Sequence, residues 1–132
     1  MMSEQLKEYH ILIVEDNGIN RFILMKMLKE LGKPITEAED GREALHALDT
    51  LKDRNTILLL DLNMPVLDGY SVIRKMAADT VVYAKVRIVV VTGTMYNDFQ
   101  KTGLGGHISG YVEKPVEKDE LIRHIKKCAT EF

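Results

Sequence analysis

LLLDLNMPVLDG, residues 58–69, starts with the character of a protein interior and ends with that of a surface. Three leucines run without a polar break into Asp61, and Pro65 and Gly69 follow at once. An apolar run that does not alternate suits a strand covered on both faces, the arrangement found in parallel sheets flanked by helices. A carboxylate at the end of such a strand stands where the sheet meets solvent. In wound α/β sheets, ligands bind just beyond the carboxyl ends of the strands, where the strand order reverses. The stretch therefore predicts a fold class and a site together.

Similar runs recur along the chain. HILIV (10–14) and RIVVV (87–91) are apolar on both faces, YV (111–112) is a shorter candidate, and PITEA (34–38) reads as a weak edge strand. Helical patterns fill the intervals. After Asn17, a cap residue, Leu24, Met27, Leu28 and Leu31 recur at helical spacing before Gly32 closes the helix. Asp40 and Glu43 resemble a capping box ahead of Ala44, Leu45, Leu48 and Leu51. Asp68 caps a helix carrying Val72, Ile73 and Met76, and the final helix turns Leu121, Ile122, Ile125 and Cys128 inward. A fourth helix is expected within MYNDFQKTGLGG (95–106), ending near Thr102 because Gly103, Gly105 and Gly106 each disfavour helix. Strands alternating with helices in this way predict a βα-wound parallel sheet. With no repeat or linker, residues 1–132 are expected to form a single domain.

Composition narrows the class. The chain has 132 residues, 45% apolar and 29% charged, with a formal net charge of −2. That balance gives no broad attraction to nucleic acid or to a membrane surface. A single cysteine, Cys128, excludes an internal disulfide framework and reads as a small core residue. No leader or membrane span is apparent, so a cytoplasmic location is expected.

The strand ends carry the chemistry. Glu15 and Asp16 directly follow the first strand, as Asp61 follows the third. Right-handed crossovers leave those two strands adjacent, so three carboxylates converge on one rim. Two unit charges about 4 Å apart repel by about 4 kcal/mol at an effective dielectric near 20. Such a cluster calls for a cation or a shifted proton affinity, and an all-oxygen donor set suits Mg²⁺. Thr92 offers a hydroxyl at the end of RIVVV, and Lys114 offers an ammonium before Pro115. Singly, each has an ordinary reading as a turn residue, a strand former or a solvated lysine. Together at one sheet edge they suit a phosphoryl group.

VEDNGINR (14–21), DLNMPVLDG (61–69), VVTGT (90–94) and SGYVEKP (109–115), taken in that order, resemble the response-regulator receiver domain of two-component signalling. The resemblance covers nearly the whole chain, from about residue 9 to residue 129. It implies a flavodoxin-like (βα)5 sheet of order 2-1-3-4-5. It further implies that Asp61 is the phosphoacceptor, with Mg²⁺ held by Glu15, Asp16, Asp61 and the backbone carbonyl of Asn63. Thr92 and Lys114 would bind the phosphoryl oxygens, and Tyr111 would be the switching aromatic. The implied phosphodonor is a histidine kinase or a histidine phosphotransfer domain, and an unknown downstream protein reads the output. Catalysis would be confined to the domain's own phosphorylation and dephosphorylation, in a monomer or a phosphorylation-dependent dimer. Helical spacing leaves Ile19 and Phe22 exposed beside the acidic rim, and the resemblance makes them docking residues. Gly93 and His107 depart from the usual pattern, in the segment around the fourth helix.

Two other readings compete. A haloacid-dehalogenase-type phosphatase also uses a strand-end aspartate and Mg²⁺, but it needs a second acid two residues on. That position is Asn63, whose amide cannot shuttle a proton. A receiver-shaped module that is never phosphorylated would be signalled by loss of an acid or of the lysine, and all are present.

Overall fold

A computed structural model describes residues 8–132. Strand β1 (His10–Val14) pairs with β3 (Thr56–Leu60), and after His10 and Thr56 both run apolar because helices cover both faces of the sheet. Strand β2 (Ile35–Ala38) lies outside β1, while β4 (Val86–Thr92) and β5 (Gly110–Glu113) continue beyond β3. All neighbours are parallel, and the order is β2-β1-β3-β4-β5, as the resemblance implied.

Period-two alternation sorts the strand residues into two cores. Ile11, Ile13, Ile57, Leu59, Val89 and Val91 face α1 (Gly18–Leu28) and α5 (Lys118–Ala129), which contribute Leu24, Leu28, Leu121 and Ile125. Leu12, Val14, Leu58, Leu60 and Val90 face the other way. There they meet α2 (Gly41–Thr50), α3 (Gly69–Ala77) and α4 (Tyr96–Gln100) through Ala44, Leu48, Val72, Ile73 and Phe99. Cys128 is buried, and burial pushes its thiol up to about 11, so it behaves as an inert core residue. Among the described residues, no helix is long and apolar enough to cross a membrane.

The expected caps form. The side chains of Asn17, Asp40 and Asp68 accept from the backbone N–H groups of Asn20, Glu43 and Ser71. Two helix ends differ from expectation. The first α-helix stops at Leu28, and its last turn tightens into a 3₁₀ turn, Lys29–Leu31, closed by Gly32 at φ 65°. Met27 and Leu31 are consequently only half-buried at the edge of the core. Helix α4 ends at Gln100, short of Thr102, and Gly103 at φ 77° reverses the chain. The chain beyond it is not an open loop. Leu104 is buried and a 3₁₀ turn, Gly105–His107, follows it, so packing shapes a segment whose glycines disfavour helix.

Candidate functional site

The site is built from strand register. Val14 of β1 and Val90 of β4 both pair with Leu60 of β3. The next residues, Glu15 and Asp61, therefore emerge side by side at the carboxyl edge of the sheet. Carboxylate oxygens of Glu15, Asp16 and Asp61 lie within 4.8 Å of one another. Glu15 and Asp61 are buried, at 2% and 6% exposure, while Asp16 is exposed.

Lys114, the residue after β5, reaches across to both buried acids. Its Nζ donates to Glu15 Oε1 at 2.6 Å and to Asp61 Oδ2 at 3.1 Å. Burial alone would lower the proton affinity of this ammonium, but the hydrogen bond to Glu15 and the charge of Asp61 outweigh burial and raise it. Lys114 is thus a firmly charged cation between two anions. Three carboxylates against one ammonium still leave two formal negative charges at the rim. All the acidic donors are oxygens, so the cluster fits a hard divalent cation such as Mg²⁺.

The remaining hydrogen bonds orient these groups. Glu15 Oε2 accepts from the Asn17 N–H at 3.0 Å, and Asp61 Oδ1 accepts from the Asn63 N–H at 3.2 Å. Directly behind Asp61 lies Gly69, where a Cβ would stand 2.2 Å from the Asp61 carbonyl oxygen. Only glycine lets the start of α3 approach so closely. Pro65, Val66 and Leu67 turn the intervening loop tightly, with the Leu67 N–H bonded to the Pro65 carbonyl at 2.7 Å and Val66 at φ 68°.

Thr92 is fully buried at the end of β4, where its Oγ1 accepts from the Thr94 N–H at 3.3 Å. Its carbonyl accepts from the Lys114 N–H at 2.8 Å, so the hydroxyl and ammonium segments are tied by the sheet itself. Tyr111, on β5, is half-buried, and its hydroxyl donates to the Thr94 carbonyl at 2.7 Å. Its ring contacts Tyr96 and Phe99 of α4, at centroid distances of 5.0 and 5.2 Å. Burial holds the Tyr111 phenol far above its usual proton affinity, so the hydroxyl remains a donor. Ile19 and Phe22 are 72% and 61% exposed on the helix that follows the acidic pair. His107 ends the 3₁₀ turn before β5, away from this cluster.

Several contacts that sequence reasoning did not foresee also take part. Arg21, within the quoted VEDNGINR, donates to the carbonyls of Glu15 at 2.8 Å and Asp16 at 3.4 Å, and to the Glu37 carboxylate at 3.1 Å. It clamps the loop that carries two of the three acids. The Asn63 side chain donates to Thr94 Oγ1 at 3.0 Å, joining the loops after β3 and β4. Glu113 accepts from the N–H of Tyr96 at 3.0 Å, doing for α4 what Met95 at its cap position cannot. The position of Arg21 one turn into a helix after an acidic pair was a usable signal. The Glu113 contact bridges 17 positions, so nothing local marks it.

Comparison with known proteins agrees with this geometry. Residues 11–126 match the response regulator receiver domain family. The peroxide stress-activated histidine kinase mak3 of Schizosaccharomyces pombe is 37% identical over 122 residues, covering 87% of this chain and 5% of that protein. A hybrid signal transduction histidine kinase of Dictyostelium discoideum is 29% identical over 120 residues. The chain spans only 5–17% of the length of these and the next curated relative. Among solved structures, the receiver domain of a sensor histidine kinase from Pseudomonas aeruginosa has magnesium coordinated in its active-site cleft. It aligns with a TM-score of 0.79 at 28% identity, over 96% of this chain and all of that one. A CheY-like receiver domain from Methanospirillum hungatei aligns with a TM-score of 0.74 at 25% identity, over 96% and 94% of the two chains. With the strand order, the acidic rim and the family match in agreement over nearly its whole length, the chain belongs to the response regulator receiver domain family of two-component signalling.

Proposed function

We propose that the protein is a phosphorelay switch in which Asp61 accepts a phosphoryl group from a phosphohistidine of a histidine kinase or histidine phosphotransfer domain. The observation that supports this most directly is the Lys114 ammonium bonded to both Glu15 and Asp61 at the carboxyl edge of the sheet. Glu15, Asp16 and Asp61, with the Asn63 backbone carbonyl, would hold Mg²⁺, which when bound supplies positive charge to neutralise phosphoryl oxygens. Asp61 is the nucleophile. An oxygen of its ionised carboxylate attacks phosphorus, the phosphorus–nitrogen bond of the donor breaks, and the electron pair leaves with the imidazole nitrogen. Asp61 needs no general base, because the carboxylate is already charged. Positioning and charge neutralisation carry most of the rate, as in other phosphoryl transfers.

The acylphosphate adds about one negative charge and new acceptor oxygens where the carboxylate stood. Lys114 then exchanges a carboxylate partner for phosphoryl oxygen, and Thr92 turns its hydroxyl from the Thr94 N–H toward the same group. Releasing Thr94 loosens the loop that also holds the Tyr111 hydroxyl, so Tyr111 and α4 respond together. Ile19 and Phe22 form the apolar contact with the donor. The test is labelling by a small acyl phosphate with Mg²⁺, read by intact mass. The wild type gains one hydroxylamine-sensitive phosphoryl group and Asp61→Asn gains none; equal labelling of the two would remove Asp61 from the role.

A further inference from the structure

The three acids of the rim are not held alike. Glu15 accepts from Lys114 on one carboxylate oxygen and from the Asn17 N–H on the other. Asp61 likewise accepts from the Asn63 N–H and from Lys114. Asp16 is exposed, and its carboxylate enters no hydrogen bond or ion pair among the described residues. The Glu15 N–H makes the last bond to β2, donating to the Ala38 carbonyl at 3.1 Å, and the chain then leaves the sheet. A side chain without partners lies where its backbone points it. The direction of Asp16 therefore depends on what fixes the peptides just beyond β1.

Arg21 fixes them. Its own N–H donates to the Asn17 carbonyl at 2.9 Å, which anchors its backbone in the first turn of α1. The side chain then reaches back along the chain. Nη1 donates to the Glu15 carbonyl at 2.8 Å and to the Asp16 carbonyl at 3.4 Å, while Nε donates to Glu37 Oε1 on β2 at 3.1 Å. At 16% exposure the Arg21 side chain is held by these contacts more than by water. The planar guanidinium reaches acceptors on two elements at once, which a lysine ammonium, a single point of charge, does not reproduce.

The partner on β2 has a second effect. A guanidinium beside the acidic rim is itself a cation, and Asp16 is the acid of the cluster with no partner of its own. Swung onto that carboxylate, Arg21 would compete with a metal ion for it. Glu37 draws the guanidinium to the opposite side, so the loop is clamped while the Asp16 carboxylate stays open.

We propose that Arg21 and Glu37 are a positioning pair that sets the Mg²⁺ affinity of the site. Arg21 aims Asp16 by holding the peptides of residues 15 and 16, and Glu37 keeps Arg21 off the carboxylate it aims. This rests on the reading of Glu15, Asp16 and Asp61 as metal ligands. Arg21 bonds to no carboxylate oxygen of those three acids, so it governs how readily the site fills and leaves the chemistry of the filled site alone.

The test is calorimetric titration of Mg²⁺ into the 132-residue chain and its variants, with melting temperatures followed alongside. R21M retains an apolar stem and loses every donor; it should bind Mg²⁺ about ten-fold more weakly, as when an outer partner that orients a metal ligand is lost. R21K, with the charge but not the fork, should recover only part of that loss. E37Q, at a side chain 42% exposed, should leave the fold intact and weaken Mg²⁺ about three-fold, the scale of an exposed ion pair. Because Glu37 acts through Arg21, R21M/E37Q should bind no more weakly than R21M. Acetyl phosphate should label R21M slowly at limiting Mg²⁺ and at the wild-type rate once Mg²⁺ saturates. A lower melting temperature in R21M with Mg²⁺ affinity within about two-fold of wild type would make Arg21 merely structural and overturn the proposal. So would additive losses in the double variant, or slow labelling of R21M that persists at saturating Mg²⁺. A wild type that binds no Mg²⁺ would overturn the ligand reading, and the pair with it. Wild type that binds Mg²⁺ but is not labelled by acetyl phosphate would overturn the acceptor reading alone, since the titrations still decide the role of Arg21 and Glu37.

Discussion

Asp61→Asn is expected to make the metal-free protein more stable, because the Asp61 carboxylate sits in an unfavourable balance of charges. The Lys114 ammonium, 3.1 Å away, attracts it by about 5 kcal/mol at an effective dielectric near 20. Glu15, within 4.8 Å, repels it by about 3.5 kcal/mol on the same footing. Asp16 is exposed, and solvent screening reduces its repulsion to about 1 kcal/mol or less. Attraction and repulsion thus nearly cancel, leaving the penalty of holding a carboxylate at 6% exposure, which is several kcal/mol for a buried ion. Asparagine keeps an oxygen for the Asn63 N–H, and Lys114 keeps Glu15 at 2.6 Å, so no charge is stranded. The expected gain is about 1–2 kcal/mol in urea unfolding with a chelator present. Mg²⁺ at about a hundred times its dissociation constant adds about 2.7 kcal/mol to the wild type, and it adds less than half of that to the variant. The difference between the two proteins should therefore close or reverse when the metal is supplied. If Asp61→Asn is less stable than the wild type in chelator by more than about 1 kcal/mol, the charge balance argued here is wrong.

Val66, 73% exposed at φ 68°, has a β-branched side chain in the left-handed region, a conformation that costs about 1–2 kcal/mol for most L-residues. Asparagine tolerates that region, so Val66→Asn should add about 1 kcal/mol and raise the melting temperature by a few degrees; a fall would show that the turn is not strained. A second expectation concerns alkaline pH. Burial pushes the Cys128 thiol up to about 11, and Lys114 is also held above its ordinary value. Both groups keep their protons in the folded state after the unfolded chain has released them. The thiol's contribution is therefore complete below about pH 8.5 and is lost as pH rises toward 11, while that of Lys114 is lost only above the ordinary lysine value. Unfolding free energy measured across that range should decline, and Cys128→Ala should flatten the earlier part of the decline. An unchanged slope in that variant would remove the thiol from the account.

The sequence alone determined the architecture, and the reason is periodicity. HILIV, ILLL and RIVVV carry apolar residues on both faces, which suits a doubly covered parallel strand, and the asparagine and aspartate caps marked three helix starts. It also brought Glu15, Asp16 and Asp61 to one edge, because the end of a strand and the hand of a crossover are readable from order alone. Tertiary structure decided what depends on distance across the fold. Lys114 closes on Glu15 from 99 positions away, and Glu113 caps α4 across 17. The burial of Phe99 and Leu104 ends α4 earlier than its glycines suggested and gives the following segment a defined turn. Local pattern encodes which residues face inward. Which charges remain unpaired is settled only when distant elements pack.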